Sequence, residues 1–297
     1  MPYSGKKPLI SVGIPFYNSA GFLKDAVRSV FAQTSTDWEL ILVDDGSRDD
    51  SLAIARSICD PRVRVYSDGA HKGLINRLNQ IAVLSQSDYI ARMDSDDLMH
   101  PERLQKQLDY LLKNPAVDVV GAGMYSLDNQ LSPCGFRGAE SENITDIRRF
   151  AKNVFIHVSV AGKRAWFLQN PYDERFVRAE DQELWLRTYP SSVFANLAEP
   201  LMYVREADSA TFEKYRQSAA TMRTIMRRYG PKAIGLPRTL GLVMQSYAKV
   251  FMFAVASITG FQKCLVGIRS RKLREDEQAL ARFGIERIMR TPLPCNE

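Results

Sequence analysis

The chain has 297 residues, of which 45% are apolar and 25% charged, the composition of a globular protein with a sizeable core. No internal repeat or low-complexity tract occurs, which excludes repeat and low-complexity proteins. The net charge of +6 is uneven, because residues 1–200 contain 23 basic and 26 acidic residues whereas residues 201–297 contain 17 and 8. A basic end of this kind indicates contact with an anionic surface.

Strands and helices are predicted to alternate along the first half of the chain. Apolar runs predict strands at 9–16, 38–45, 63–68, 88–94 and 117–126. Helical patterns predict helices at 19–33, 49–58, 73–86 and 101–113. This alternation predicts an α/β fold with a mainly parallel, twisted sheet flanked by helices. The first run is short and contains Pro15, so we interpret it as a buried strand and not as a signal peptide.

The second half of the chain has a different pattern. Residues 127–200 are predicted to mix strands and helices, and residues from 212 on to be mostly helical, with a boundary near 205–212. The cysteines are far apart and lack metal-ligand spacing, so we expect reduced thiols in the cytosol at Cys59, Cys134, Cys264 and Cys295, with a disulfide pair as the less favoured alternative.

Two acidic clusters fall where predicted strands end. Asp44 and Asp45 follow the second strand, and Asp94, Asp96 and Asp97 follow the fourth. Ligands of parallel α/β sheets bind beyond the carboxyl ends of the strands. Two carboxylates at i and i+2 in a turn can face one Mg²⁺ or Mn²⁺ ion, whose open positions take substrate phosphates. The alternative is a solvated turn in which Asp97 caps the next helix.

Two common nucleotide-binding motifs are absent. The turn after the first strand reads IPFYNSA, where a dinucleotide-binding fold would have G-x-G-x-x-G. No G-x-x-x-x-G-K-[ST] loop occurs, which excludes a P-loop nucleotidase. The VDDGS segment at 43–47 remains compatible with nucleotide binding, because carboxylates beyond a buried strand can accept hydrogen bonds from a base or a ribose.

Four segments together resemble the family-2-type inverting glycosyltransferases, which have the nucleotide-diphospho-sugar transferase (GT-A) fold. They occur in the family's order between residues 9 and 205 and contain VGIPFYNSAGFL, WELILVDDGS, YIARMDSDD and RAEDQELWLR. The resemblance implies a GT-A catalytic domain at 1–210 and a helical, basic and apolar region at 211–297. It also implies a role in bacterial surface polysaccharide synthesis, such as O-antigen, capsule or exopolysaccharide.

The resemblance further implies roles for individual residues. Binding of a nucleoside diphosphate sugar, with UDP favoured, is assigned to Pro15, Tyr17, Asp44, Asp45, Arg77, Asp94 and Ser95. Asp96 would bind Mg²⁺ or Mn²⁺ directly, and Asp94 would contact the ion indirectly. Asp181 would take the proton of an acceptor hydroxyl on a glycan or lipid-linked glycan, and Glu180 would assist acceptor binding.

Several of these roles have structural alternatives. Glu180 and Asp181 can instead cap a helix, because acidic residues favour its positive end. His157 is an acceptor-site candidate that is equally compatible with core packing, and for Trp185 core packing is the favoured alternative. The Q-x-x-R-W signature of processive synthases is absent, which favours addition of one or a few sugars.

Residues 239–261 form an apolar run with one charge, Lys249, and with basic residues on both sides. Charge on both sides argues against a membrane span. It favours a helix or helical hairpin on the anionic inner face of the cell membrane, reached from the cytoplasm. The alternatives are a buried helix or a contact between copies in a homo-oligomer.

Two other functions are compatible with parts of the sequence. A sugar-nucleotide nucleotidyltransferase has the same fold, but it would need a glycine-rich, basic turn where IPFYNSA stands. A non-catalytic binder of anionic membranes or nucleic acid is suggested by the basic pI of about 9.1. No nucleic-acid partner is expected, because the basic residues lack interleaved aromatic residues.

Overall fold

The structure is a computed structural model that describes residues 7–128, 130–138, 154–205, 212–258 and 271–294. Its strands are β1 (Ile10–Phe16), β2 (Trp38–Asp44), β3 (Val63–Ser67), β4 (Tyr89–Arg92), β5 (Leu98–Met99), β6 (Val119–Leu127), β7 (Pro133–Arg137), β8 (Ala161–Lys163) and β9 (Phe194–Arg205). Its α-helices are α1 (Leu23–Phe31), α2 (Ser51–Arg56), α3 (Leu74–Leu84), α4 (Arg103–Lys113), α5 (Arg164–Gln169), α6 (Glu180–Thr188), α7 (Phe212–Ile234), α8 (Leu236–Ile258) and α9 (Glu275–Arg290). Two short 3₁₀ helices span His157–Ser159 and Tyr189–Ser191.

The described strands form one sheet in the order β3-β2-β1-β4-β8-β6-β9-β5, with β7 paired to β6. The first four strands in this order are parallel. Strand β8 lies antiparallel between β4 and β6, and β9 runs parallel to β6. The predicted α/β architecture is confirmed, with parallel pairing through the first four strands and mixed pairing beyond them.

The centre of the sheet is buried on both faces. Every residue of β1 and β2 is buried, as expected for parallel strands that are covered by helices on both sides. Helix α1 covers one face through residues spaced i, i+3, i+4 and i+7: Leu23, Ala26, Val27 and Val30. The other face is covered by α3 and by an aromatic cluster that includes Trp166 and Trp185.

The helices after β9 pack in two places. Helices α7 and α8 form a hairpin whose bend is Gly235, which has a positive φ of 83°. Helix α9 packs against the sheet through Ala281, Ile285 and Ile288, next to Tyr203. The C-terminal region therefore contributes to the same core as the strands.

Within the described ranges, no helix has the length and apolar character that a membrane crossing requires. Helix α8 contains most of the apolar run predicted at 239–261, and residues 259–261 lie outside the described residues. Cys59 and Cys134 are exposed and form no disulfide within the described residues, whereas Cys264 and Cys295 lie outside them.

Candidate active site

Three adjoining cavities open at the carboxyl ends of the parallel strands, and Asp94 lines all three. The first chamber, of about 460 Å³, is lined by residues from both acidic turns, among them Pro15, Tyr17, Asp45, His71, Ser95 and Asp96. The second, of about 600 Å³, is lined by residues that include Leu74, Arg92, Val177, Arg178 and Glu180. The third, of about 580 Å³, is lined by residues that include Arg92, Asp97, His157 and Asp181. Each volume is typical of a small-molecule site.

Asp45 organises the first chamber. Its Oδ1 accepts hydrogen bonds from the backbone N–H groups of Lys72 (2.8 Å) and Gly73 (3.1 Å) and from Nε of Arg77 (2.9 Å). Arg77 is fully buried and also donates to Asp68 and to the carbonyl of Ala70. The hydrogen bonds to Asp68 raise the pKa of Arg77, so this guanidinium stays charged. It holds Asp45 and the 68–70 segment together.

Asp44 does not line the chambers. Its Oδ1 accepts the backbone N–H of Ser47 (2.9 Å), and its Oδ2 accepts the hydroxyl of Ser67 (2.8 Å). The side chain is buried, and both oxygens are already bound by the protein. In this structure Asp44 supports the turn, whereas Asp45 faces the chamber.

An aromatic pair covers one side of the first chamber. The rings of Tyr17 and His71 lie 4.3 Å apart at 37°, and Tyr17 is 41% exposed. His71 Nδ1 lies 2.9 Å from Asp45 Oδ2, which orients the imidazole. A planar base can stack on such an exposed ring. His71 was not among the predicted site residues, because it reaches Asp45 only through folding.

The turn after β4 gathers three carboxylates, Asp94, Asp96 and Asp97, whose oxygens come within 4.8 Å of one another. Desolvation and then the charge of Asp94 raise the pKa of Asp96. Burial and then both neighbouring carboxylates raise the pKa of Asp97. The carboxylates of the cluster therefore repel one another, and their hard oxygen donors match Mg²⁺ or Mn²⁺.

The protein anchors this turn from several sides. The backbone N–H of Arg205 donates to Asp97 Oδ1 (3.0 Å), and the Arg205 guanidinium donates to the backbone carbonyl of Asp96. The hydroxyls of Ser95 and Ser19 share a hydrogen bond of 2.7 Å. The turn held in this way places Asp94 and Asp96 in the lining of the first chamber.

Glu180 and Asp181 begin helix α6 and face different chambers. Glu180 lines the second chamber and Asp181 the third. Burial is the main cause that raises the pKa of both groups, and the charge of Asp181 raises that of Glu180 further. The side-chain hydrogen bond to Asp181, from Gln182 Nε2, is long at 3.4 Å. A desolvated and weakly bound carboxylate is well suited to accept a proton.

Arg92 lies between the acidic turn and helix α6. Its Nη2 is 2.8 Å from Asp94 Oδ1, and it is only 7% exposed. Its Nε and Nη1 have no hydrogen-bond partner among the described residues. Burial alone would lower the pKa of Arg92. The net shift is upward, because the surrounding acidic groups outweigh burial: Asp94 first, then Tyr172, Glu180 and Asp181. Arg92 was not among the predicted site residues, although a charged residue two positions before Asp94 in a strand points to the same side.

The two acceptor-site candidates have different positions. His157 lines the third chamber with Asp181, and its Nε2 is 2.9 Å from the Tyr172 hydroxyl. Burial, followed by the charge of Arg92, lowers the pKa of His157, so the imidazole is neutral. Trp185 is fully buried against Phe155, Trp166 and Phe194. The structure therefore brings His157 to the chamber and leaves Trp185 in the core.

The chain is similar in sequence to known glycosyltransferases. The family model described as Glycosyl transferase family 2 matches residues 11–165. The chain is 35% identical over 216 residues to EpsE of Bacillus subtilis, which is named as a glycosyltransferase, covering 70% of this chain and 76% of EpsE. It is 28% identical over 195 residues to a chondroitin synthase of Pasteurella multocida, covering 64% of this chain but only 20% of the synthase.

A solved structure shares the fold. The crystal structure of S. aureus TarS 1-349 in complex with UDP-GlcNAc matches with a TM-score of 0.63 and 17% identity, covering 96% of this chain and 82% of TarS 1-349. This likeness confirms the predicted GT-A fold. The family match spans more than half of the chain and includes both acidic turns. The chain therefore belongs to glycosyl transferase family 2 and is a glycosyltransferase.

Proposed function

We propose that this glycosyltransferase moves a sugar, with inversion, from a UDP-sugar to a hydroxyl of a glycan or lipid-linked glycan. The reaction would depend on Mg²⁺ or Mn²⁺ and serve bacterial surface polysaccharide synthesis at the cytoplasmic face of the cell membrane. The main supporting observation is that Asp45, Asp96 and Asp181 line chambers that are joined at Asp94. The named relatives, which include a chondroitin synthase, support the polysaccharide assignment.

The first chamber suits the nucleoside part of the donor. The exposed Tyr17 ring offers a stacking surface, and Asp45 lies next to it with the carboxylate oriented by Arg77. A carboxylate in this position can accept the imide N–H of uracil. TarS, which shares the fold, was solved with UDP-GlcNAc, and this supports UDP as the carrier.

Asp94 and Asp96 are the residues that would hold the metal ion. Both line the first chamber, and their mutual repulsion makes a cation favourable there. A bound divalent ion would neutralise the charge that develops on the departing diphosphate. Asp97 is buried and accepts a hydrogen bond from the backbone N–H of Arg205, so it fixes the turn.

Asp181 would act as the general base. An acceptor hydroxyl in the third chamber would give its proton to Asp181 and attack the anomeric carbon from the side opposite the diphosphate, which inverts the configuration. Glu180, in the second chamber, would bind neighbouring acceptor hydroxyls. Arg92 would keep Asp94 oriented through its 2.8 Å contact and lower the pKa of Asp181 against the effect of burial.

The test measures release of the nucleoside diphosphate from UDP-, GDP- and dTDP-sugars by the full chain, in the presence of Mn²⁺ or of EDTA. We expect turnover of a UDP-sugar that EDTA abolishes and that Asp96→Ala lowers by at least about tenfold. The control is Asp109→Ala, which changes a half-buried carboxylate on α4 outside the three chambers. Full turnover in EDTA would contradict metal dependence, and pyrophosphate release from a nucleoside triphosphate would favour the nucleotidyltransferase alternative.

A further inference from the structure

Helix α8 carries a stripe of exposed apolar residues. The α8 stripe consists of exposed residues at i, i+4, i+8, i+11 and i+15, namely Leu236, Leu240, Met244, Tyr247 and Phe251. This spacing places them on one face of the helix over about 22 Å. The buried face of α8, which includes Val243 and Phe253, packs against α7. Apart from Tyr247, which contacts α7, the stripe residues are therefore not needed to hold the hairpin together.

The charges around the stripe determine which partner fits it. Residues 212–258 contain eight basic residues and one acidic residue, a net charge of +7. Arg223 lies over the Tyr247 ring at 4.1 Å, and Arg227 Nη2 donates to the Tyr247 hydroxyl at 3.1 Å. Guanidinium groups therefore border the stripe. A second copy of this chain packed on the stripe would bring like charges together, whereas an anionic lipid surface would complement them.

We propose that the α8 stripe is the surface by which this protein docks on an anionic lipid bilayer. The stripe enters the boundary between headgroups and acyl chains, and the arginines at its edge meet the lipid phosphates. Helix α8 lies along the membrane plane in this arrangement and does not cross it.

The hairpin also contacts the wall of the second chamber. Thr221 Oγ1 donates to the carbonyl of Val177 (3.1 Å), and Arg178 Nε donates to Ser218 Oγ (3.5 Å). Val177 and Arg178 both line that chamber, next to Glu180. The docked hairpin thus contacts the chamber in which Glu180 would bind acceptor hydroxyls. The docking surface suits an acceptor carried on a lipid, a point that rests on the proposed function.

The test compares binding of the full chain to vesicles of phosphatidylcholine alone and of phosphatidylcholine mixed with phosphatidylglycerol. We expect preferential binding to the anionic vesicles and a loss of about tenfold or more in Met244→Ser/Phe251→Ser, whose residues are 68% and 72% exposed. The matched control is Leu280→Ser/Phe283→Ser on α9, whose residues are 65% and 71% exposed. The control should bind as the unchanged protein does.

Charge and oligomeric state give two further readouts. Arg227→Gln should weaken binding to the anionic vesicles and leave binding to phosphatidylcholine unchanged. Equal vesicle binding by the stripe variant and the unchanged protein would refute the proposal. So would a dimer that Met244→Ser/Phe251→Ser converts to a monomer in the absence of vesicle binding. UDP-sugar hydrolysis without vesicles tests the proposed function separately, and the stripe variant should retain it.

Discussion

Replacing Asp181 by asparagine removes an ionised oxygen from the third chamber and leaves the shape of the side chain nearly unchanged. The hydrogen bond that Asp181 accepts from Gln182 is already long at 3.4 Å, so the substitution removes little that holds the fold. Burial raises the pKa of Asp181, which means that its ionised form is unfavourable in the folded protein. We therefore expect Asp181→Asn to be at least as stable as the unchanged protein at neutral pH.

The effect on the reaction should be large. General base assistance typically contributes ~10²–10⁴-fold, equivalent to about 2.7–5.4 kcal/mol in the barrier. Initial rates of UDP release with a bound acceptor should fall by that factor in Asp181→Asn, while the affinity for UDP, measured by calorimetry, stays unchanged. Glu180→Gln is the matched control, because it changes the adjacent carboxylate, which faces the second chamber. It should mainly raise the KM for the acceptor.

The pH profile gives an independent check. Because burial raises the pKa of Asp181, the rate should begin to fall with acidification at a pH above the ordinary value of 3.8. Asp181→Asn has no carboxylate to protonate and should lack this acidic limb. A rate within about threefold of the unchanged enzyme, or an acidic limb that persists in Asp181→Asn, would refute the assignment of Asp181 as the base.

Three other predictions follow from the structure. Gly46 and Gly69 both have a positive φ (76° and 71°), but of the two only Gly46 would bring a Cβ close to the backbone of Ala70, at 2.9 Å. Gly46→Ala should therefore lower the free energy of unfolding by more than the ~1–2 kcal/mol expected for Gly69→Ala. Equal losses of the two variants in urea denaturation would contradict the clash. Tyr17→Ala should weaken UDP binding by about 1–3 kcal/mol in calorimetry and Tyr17→Phe should not, and this reasoning fails if both bind alike. Burial lowers the pKa of His100 to about 4 from 6.5, so stability should fall by about 3 kcal/mol as the pH decreases through this interval. His100→Asn should remove that loss, and an unchanged pH dependence in denaturation experiments would count against it.

The first half of the fold could be predicted because its signals are local. Strands β1 and β2 are continuous apolar runs, and α3 begins after Gly73 within a residue of its predicted start. Strand β5 has only two residues and pairs with β9, about a hundred positions later in the chain. Strand β8 has three residues and enters between β4 and β6. Such short strands have no periodicity of their own, so the sequence pattern could not reveal them.

The site was predictable to the extent that its acidic residues follow strands. Successive strand residues point to opposite faces, and this separates Asp45, which faces the chamber, from Asp44, which supports the turn. Trp185 is four residues beyond Asp181 on the same helix face, but that spacing moves it one turn deeper, into the aromatic cluster. His71 reaches the site only through folding, from a loop with no motif of its own.

The position of Arg92 has a consequence for redesign and natural variation of this enzyme. One fixed cation is shared by acidic groups from the turn after β4 and from the start of α6, which lie almost ninety residues apart in the chain. A neutral residue at this position would remove the counter-charge that these acids share, and they would bind protons or soluble ions more readily. Viable replacements of Arg92 should therefore be accompanied by the loss of an acidic residue elsewhere in the cleft. We expect substitutions in the turn after β4 and at the start of α6 to occur together.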